Sequence, residues 1–143
     1  MADGTPEQAC EVAAQLTNEP ARVLAFQEEF VRKADELGYG QAACFALRLA
    51  MEEGVRNALV HGHRDLPDTP VDVRYRITPE TVEITIRDQG PGFDPDSLPD
   101  PTAPENLVNP SGRGVMLMRA YMTSVSFNET GNQITMVYER AAS

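Results

Sequence analysis

Lysine is nearly absent from this chain: of 12 lysine and arginine residues, Lys33 is the single lysine and the rest are arginine. No glycine precedes it, so the Gly-Lys-Ser/Thr ending of a Walker phosphate-binding loop is excluded. Cysteine and histidine are as sparse. Cys10 and Cys44 lie far apart without Cys-x-x-Cys spacing, and only His61 and His63 could offer imidazole to zinc. Two buried or half-buried thiols in a reducing compartment account for the cysteines better than a metal or a disulfide does. Basic charge is outweighed by 22 Asp and Glu, for a net charge of −10. That balance argues against direct nucleic-acid binding and against an anionic membrane surface, while a compact anionic ligand can still bind locally. The amino terminus, Met1 to Cys10, lacks the basic and apolar regions of a signal peptide, and no apolar run approaches membrane-spanning length. A soluble, cytoplasmic protein without membrane contact is expected.

What is present suffices for one fold. A chain of 143 residues with 41% apolar and 24% charged side chains can bury a core without disulfide or metal support. The expected organisation is a tail over residues 1–18 that includes a candidate edge strand, and a single domain over 19–143, with no internal repeat. Cys10 to Leu16 fits a short edge strand or a short helix, and its pattern does not decide. From Glu19-Pro20, the residues Val23, Leu24, Phe26, Phe30, Val31 and Leu37 recur at helical spacing up to a stop at Gly38. A second helix is predicted from about Tyr39 to His61, broken by Gly62. The period then changes to two: Val71, Val73, Tyr75 and Ile77 alternate with polar residues, as do Val82, Ile84 and Ile86 after the Pro79-Glu80 turn. These two runs predict an antiparallel hairpin. A second hairpin is predicted from Ser124–Asn128 and Gln133–Glu139, turning at Gly131-Asn132.

Three places in this framework carry chemistry. On the second helix, Glu53 and Asn57 are spaced i and i+4 and so share a face, with His61 one turn further. Alone they read as a solvated glutamate and an incidental amide. Glu52 is rotated about 100° away and is expected in solvent. His61 fits a packed or capping imidazole better than a catalytic base. At the end of the second strand, Asp88 shares the parity of Val82, Ile84 and Ile86. It is either a buried acceptor or a residue that has already left the strand to cap the turn, because a buried carboxylate without partners is costly. Gly90 and Gly92 follow it, and then a proline-interrupted stretch from Phe93 to Ser111, expected to form a lid at about residues 93–111. That stretch ends in Ser111-Gly112-Arg113-Gly114 before a short apolar helix, Val115 to Met122, whose N–H groups suit phosphate oxygens. Met116, Met118 and Met122 are expected to fill the core.

Singly, each glycine motif is a common turn. In this order, however, Glu53-x-x-x-Asn57, Asp88-x-Gly90-x-Gly92 and Gly112-Arg113-Gly114 resemble the ATP-binding Bergerat fold. Within that histidine-kinase-like superfamily, the runs Asn57–Gly62, Asp88–Phe93 and Ser111–Met118 look most like the anti-sigma factor serine/threonine kinases. The resemblance covers about residues 20–140. It implies an α/β (α+β) two-layer sandwich, with a mixed, mostly antiparallel sheet covered on one face by three helices and ATP held between the helices and the lid. It also implies a protein kinase that phosphorylates a small antagonist protein and sequesters a sigma factor, using ATP and Mg²⁺. Asp88 would accept the adenine amine, and Gly90 and Gly92 would let the backbone approach the ring. The side-chain oxygen of Asn57 would complete a Mg²⁺ shell of phosphate and water oxygens. Gly112, Arg113 and Gly114 would line the triphosphate, and Thr135 would add a weaker adenine contact. Glu53 would take the hydroxyl proton as the γ-phosphoryl group moves.

Two rivals share these motifs: an ATP-responsive binding module that transfers no phosphate, and a stimulatory switch kinase of the same family. No length remains for the helical hairpin of a sensor histidine kinase. A homodimer is an open expectation, with an amino-terminal edge strand as its contact.

Overall fold

The computed structural model describes residues 10–59, 70–88, 110–129 and 132–140; of Pro110 to Arg113 only the backbone is described. The first segment settles the ambiguity at the amino terminus. Cys10–Leu16 is a strand, β1, paired antiparallel along its length with a second strand. Helix α1 follows at Pro20–Glu36, with proline in its first turn, where a missing N–H costs nothing. Its far end closes as the stop signal predicts. Gly38 adopts φ 91°, Gly38 N–H donates to the Asp35 carbonyl and Tyr39 N–H to the Ala34 carbonyl, a Schellman closure.

Helix α2, Gln41–Asn57, buries a face rich in small residues: Ala43, Ala46, Ala50 and Gly54 beside Leu47, Met51 and Val55. The small side chains let α2 lie close on the sheet. A Cβ at Gly54 would stand 2.5 Å from Ile86 Cδ1 and 3.0 Å from Met136 Cε. Strands β2 (Val71–Ile77) and β3 (Thr81–Arg87) form the expected hairpin, with Thr78 closing its turn through hydrogen bonds to Thr81. Helix α3 runs Pro110–Tyr121, and β4 (Ser124–Phe127) and β5 (Gln133–Glu139) form the second hairpin.

The sheet order is β1-β2-β3-β5-β4, and every neighbouring pair among the described strands is antiparallel. One face carries the three helices. Val73, Tyr75, Ile84, Ile86, Ile134 and Met136 point into the core with Phe30, Leu47, Met51 and Met118. Phe30 and Phe26 of α1 meet the Tyr75 ring edge-on, at 4.8 and 5.6 Å between centroids, and seat α1 over β2. Met118 and Met122 are core residues, as expected, but Met116 is 39% exposed because it falls on the outer side of α3. Among the described residues no helix is long and apolar enough to cross a membrane.

Candidate functional site

The end of α2 places two polar side chains against apolar surroundings. Glu53 is only 9% exposed, and its Oε1 lies 3.5 Å from Arg56 Nη1. Glu52, on the neighbouring face, is half in solvent and takes the other arm of the same guanidinium at 3.1 Å. One turn beyond Glu53, the Oδ1 atom of Asn57 is buried and has no hydrogen-bond partner. A buried acceptor in that state costs on the order of 1–3 kcal/mol. At Ala58 and Leu59 the helix widens into a π turn, a distortion that recurs at functional sites.

The β3 strand delivers the second group. Asp88 is 8% exposed, and its N–H donates to the Asn132 carbonyl at 2.9 Å, one step past the last ladder pair, Arg87 with Gln133. It has therefore not turned away into a cap. Its side chain keeps the parity of Ile84 and Ile86 and faces the helices. Asp88 and Asn57 line one small cleft, together with Ala58, Ile86, Phe127, Asn132 and Ile134.

Helix α3 brings the third motif to the first. It begins at Pro110, earlier than the sequence predicts, so Ser111 to Gly114 form its opening turns and do not precede it. Gly112 and Arg113 thus lie where backbone N–H groups lack an acceptor within the helix. Gly114 packs directly on α2: a Cβ there would come 3.1 Å from Glu53 Oε2.

Thr135 does not join this site. It pairs with Thr85 and Ser126 on the helix-free face, whereas Ile134 and Met136 face the helices, because strand side chains alternate. The residue that the sequence reading missed is Asn132, treated there as a turn residue. Gly90, Gly92, His61 and the lid up to residue 109 lie outside the described residues. A larger concavity lies elsewhere, on the open face of the sheet between Gln15, Arg22, Arg74 and Arg87. Its arginines are exposed and it contains none of the motif residues, so the smaller cleft is the better candidate.

The family described as histidine kinase-like ATPase domain matches residues 8–138. The chain is 27% identical to the serine-protein kinase RsbW of Oceanobacillus iheyensis over 66% of its own length and 64% of that protein. It thus spans just under two thirds of that relative. It is 32% identical to the anti-sigma F factor of Heyndrickxia coagulans over 81% of its length and 76% of that protein. Against the anti-sigma F factor of Geobacillus stearothermophilus it is 30% identical over 84% and 79%.

Proposed function

The chain belongs to the histidine kinase-like ATPase family, and we propose on that basis that it is an ATP-dependent serine/threonine kinase acting as an anti-sigma factor. In this reading it phosphorylates a small antagonist protein and sequesters a sigma factor in the cytoplasm. The observation that carries the reading is the convergence of three distant segments: Asn57 shares a cleft with Asp88, while Glu53, one turn away, touches Gly114. The names of the relatives, serine-protein kinase and anti-sigma factor, support it.

Each group then has a task. Asp88 accepts a hydrogen bond from the exocyclic amine of adenine, and Gly90 and Gly92 let the backbone approach the ring. Gly112, Arg113 and Gly114 line the triphosphate, with the unpaired N–H groups at the start of α3 receiving phosphate oxygens. The orphaned Oδ1 of Asn57 fits one position in a Mg²⁺ shell otherwise filled by phosphate and water; when bound, the ion offsets charge on the phosphates. Among the described residues no three His, Cys, Asp or Glu side chains converge, which suits an ion held mainly by its nucleotide. Glu53 accepts the proton of the attacking hydroxyl while that oxygen bonds to the γ-phosphorus and ADP departs. We assign a homodimer contact to the outer edge of β1, where backbone groups at the end of the sheet order can pair with a second copy.

Two substitutions test the assignment. Asp88→Asn should abolish ATP binding in a calorimetric titration, and unchanged affinity would remove Asp88 from the base. Glu53→Ala should bind ATP nearly as well as the parent protein yet fail to transfer phosphate to the cognate antagonist. If the parent protein binds ATP and transfers nothing, the nucleotide-responsive binding module is the better description.

A further inference from the structure

The end of α2 carries an arginine that the proposed chemistry leaves unused, and both of its arms are occupied. Arg56 Nη1 lies 3.5 Å from Glu53 Oε1, three residues back, and Nη2 lies 3.1 Å from Glu52 Oε1, four residues back. Arg56 and Glu52 are half-exposed, whereas Glu53 is buried. The guanidinium therefore reaches from solvent to a buried carboxylate and is braced by an exposed one. Glu53 needs such a partner, because an ionised carboxylate withdrawn from water without a compensating charge is costly. Among the described residues no other ion pair reaches it. Its two oxygens are also set apart. Oε1 takes the guanidinium, while Oε2 is turned to α3, 3.1 Å from where a Cβ on Gly114 would stand.

We propose that Arg56 is a positioning residue for phosphoryl transfer: its guanidinium fixes Oε1 of Glu53 so that Oε2 is presented toward the start of α3, where the attacking hydroxyl meets the γ-phosphoryl group. This rests on Glu53 being the base. Oε2 then takes the hydroxyl proton while the hydroxyl oxygen bonds to the γ-phosphorus and the bond to ADP breaks. A planar guanidinium with one arm on each glutamate holds Glu53 in a single orientation. Without it, the carboxylate turns about its own side-chain bonds toward water at the end of the helix. Transfer is sensitive to that turn, since a displacement of about 1 Å near the reacting atoms costs on the order of 100-fold. ATP binding is carried by Asp88, Asn57 and the start of α3, and does not use Glu53. Arg56 itself touches no ligand in this scheme.

Steady-state transfer from ATP to the cognate antagonist, run on the full chain beside calorimetry and thermal melts, tests the proposal. Arg56→Gln should melt close to the parent, because a pair with a half-exposed arginine contributes little to folding. It should bind ATP within about twofold and keep the parent KM for the antagonist, while kcat falls roughly tenfold or more. Arg56→Lys retains a cation able to reach Oε1 and should recover most of that loss. An undiminished kcat in Arg56→Gln overturns the inference. So does a loss carried by KM or by weaker ATP binding, which would put Arg56 on a ligand, and so does a loss that Arg56→Lys leaves in full. Glu53→Ala separates this inference from the reading beneath it. If Glu53→Ala stops transfer while Arg56→Gln transfers like the parent, only the role of Arg56 falls. If Glu53→Ala transfers as well as the parent, or the parent transfers nothing, the base assignment falls and this inference with it.

Discussion

At the scale of single residues, burial separates two neighbouring identical side chains. Glu52 and Glu53 share one arginine, yet Glu53 is enclosed between α2 and Gly114 while Glu52 stays half in solvent. The contact at Gly114 separates stability from activity. Replacing a helical glycine by alanine gains about 1 kcal/mol from propensity. Here the added methyl would sit 3.1 Å from Glu53 Oε2, and the carboxylate must move by a few tenths of an ångström. Catalytic geometry tolerates less displacement than folding does. Gly114→Ala should therefore melt no lower than the parent, retain ATP binding within about threefold, and lose roughly tenfold or more in phosphotransfer rate. Thermal melts, calorimetry and a transfer assay run together check this, and an undiminished rate would show that the Glu53 position is not critical.

At the scale of elements, closures matter as much as the helices and strands they join. The turn between α1 and α2 is held by the αL residue Gly38 and by Arg140 from the end of the sheet. The Arg140 guanidinium donates to the carbonyls of Gly38, Leu37 and Pro79 and lies 4.9 Å from the Tyr39 ring centroid. Gly38→Ala forces a Cβ into φ 91° and sets it 3.3 Å from Arg140 Nη2. A loss of about 1–2 kcal/mol is expected, seen as a lower denaturant midpoint at unchanged slope. No change would mean that the turn relaxes freely. Such closures were legible in the sequence where they are local, as at Gly38 and at the Pro79-Glu80 turn. The alternation in β2 and β3 and most of the α1 face were legible for the same reason, although Leu24, counted with that face by its spacing, is 56% exposed. What was not legible depends on register between distant strands. Nothing in the sequence aligns β3 with β5 across the residues between them, so the face that Thr135 occupies, expected from the resemblance to be the adenine side, is open until the register is known. The one-step extension that pairs Asp88 with Asn132 decides otherwise, since a shift of one residue exchanges the faces of a strand. The start of α3 was misplaced because glycines at Gly112 and Gly114 read as a loop, whereas close packing on α2 overrides their low helix propensity.

At the scale of the whole molecule, two buried tyrosines tie the helical layer to the sheet and set an alkaline limit on stability. Burial pushes the Tyr75 phenol above its ordinary value of 10.0, with Lys33 pulling the other way. Burial also raises Tyr39, against the opposing pull of Arg140. In both cases the folded state favours the protonated form. Below pH 10 folded and unfolded chains carry the same protons on these groups, and their contribution is fully present. Above it the unfolded chain releases protons that the folded chain retains, so stability falls as pH rises through the folded-state values. The two tyrosines differ in what a test would show. The Tyr39 hydroxyl donates to the Thr78 carbonyl at 2.7 Å, whereas the buried Tyr75 hydroxyl has no hydrogen bond of good geometry and only the nearby Lys33 ammonium to compensate it. Tyr75→Phe therefore removes a poorly satisfied group and should leave the protein at least as stable at pH 7. The same change should flatten the decline above pH 10, while Tyr39→Phe should lose about 1 kcal/mol at pH 7 with its hydrogen bond. Denaturant titrations at pH 7 and at pH 11 measure both effects. A Tyr75→Phe protein that declines as steeply as the parent would place the alkaline limit outside the contact between α1 and β2.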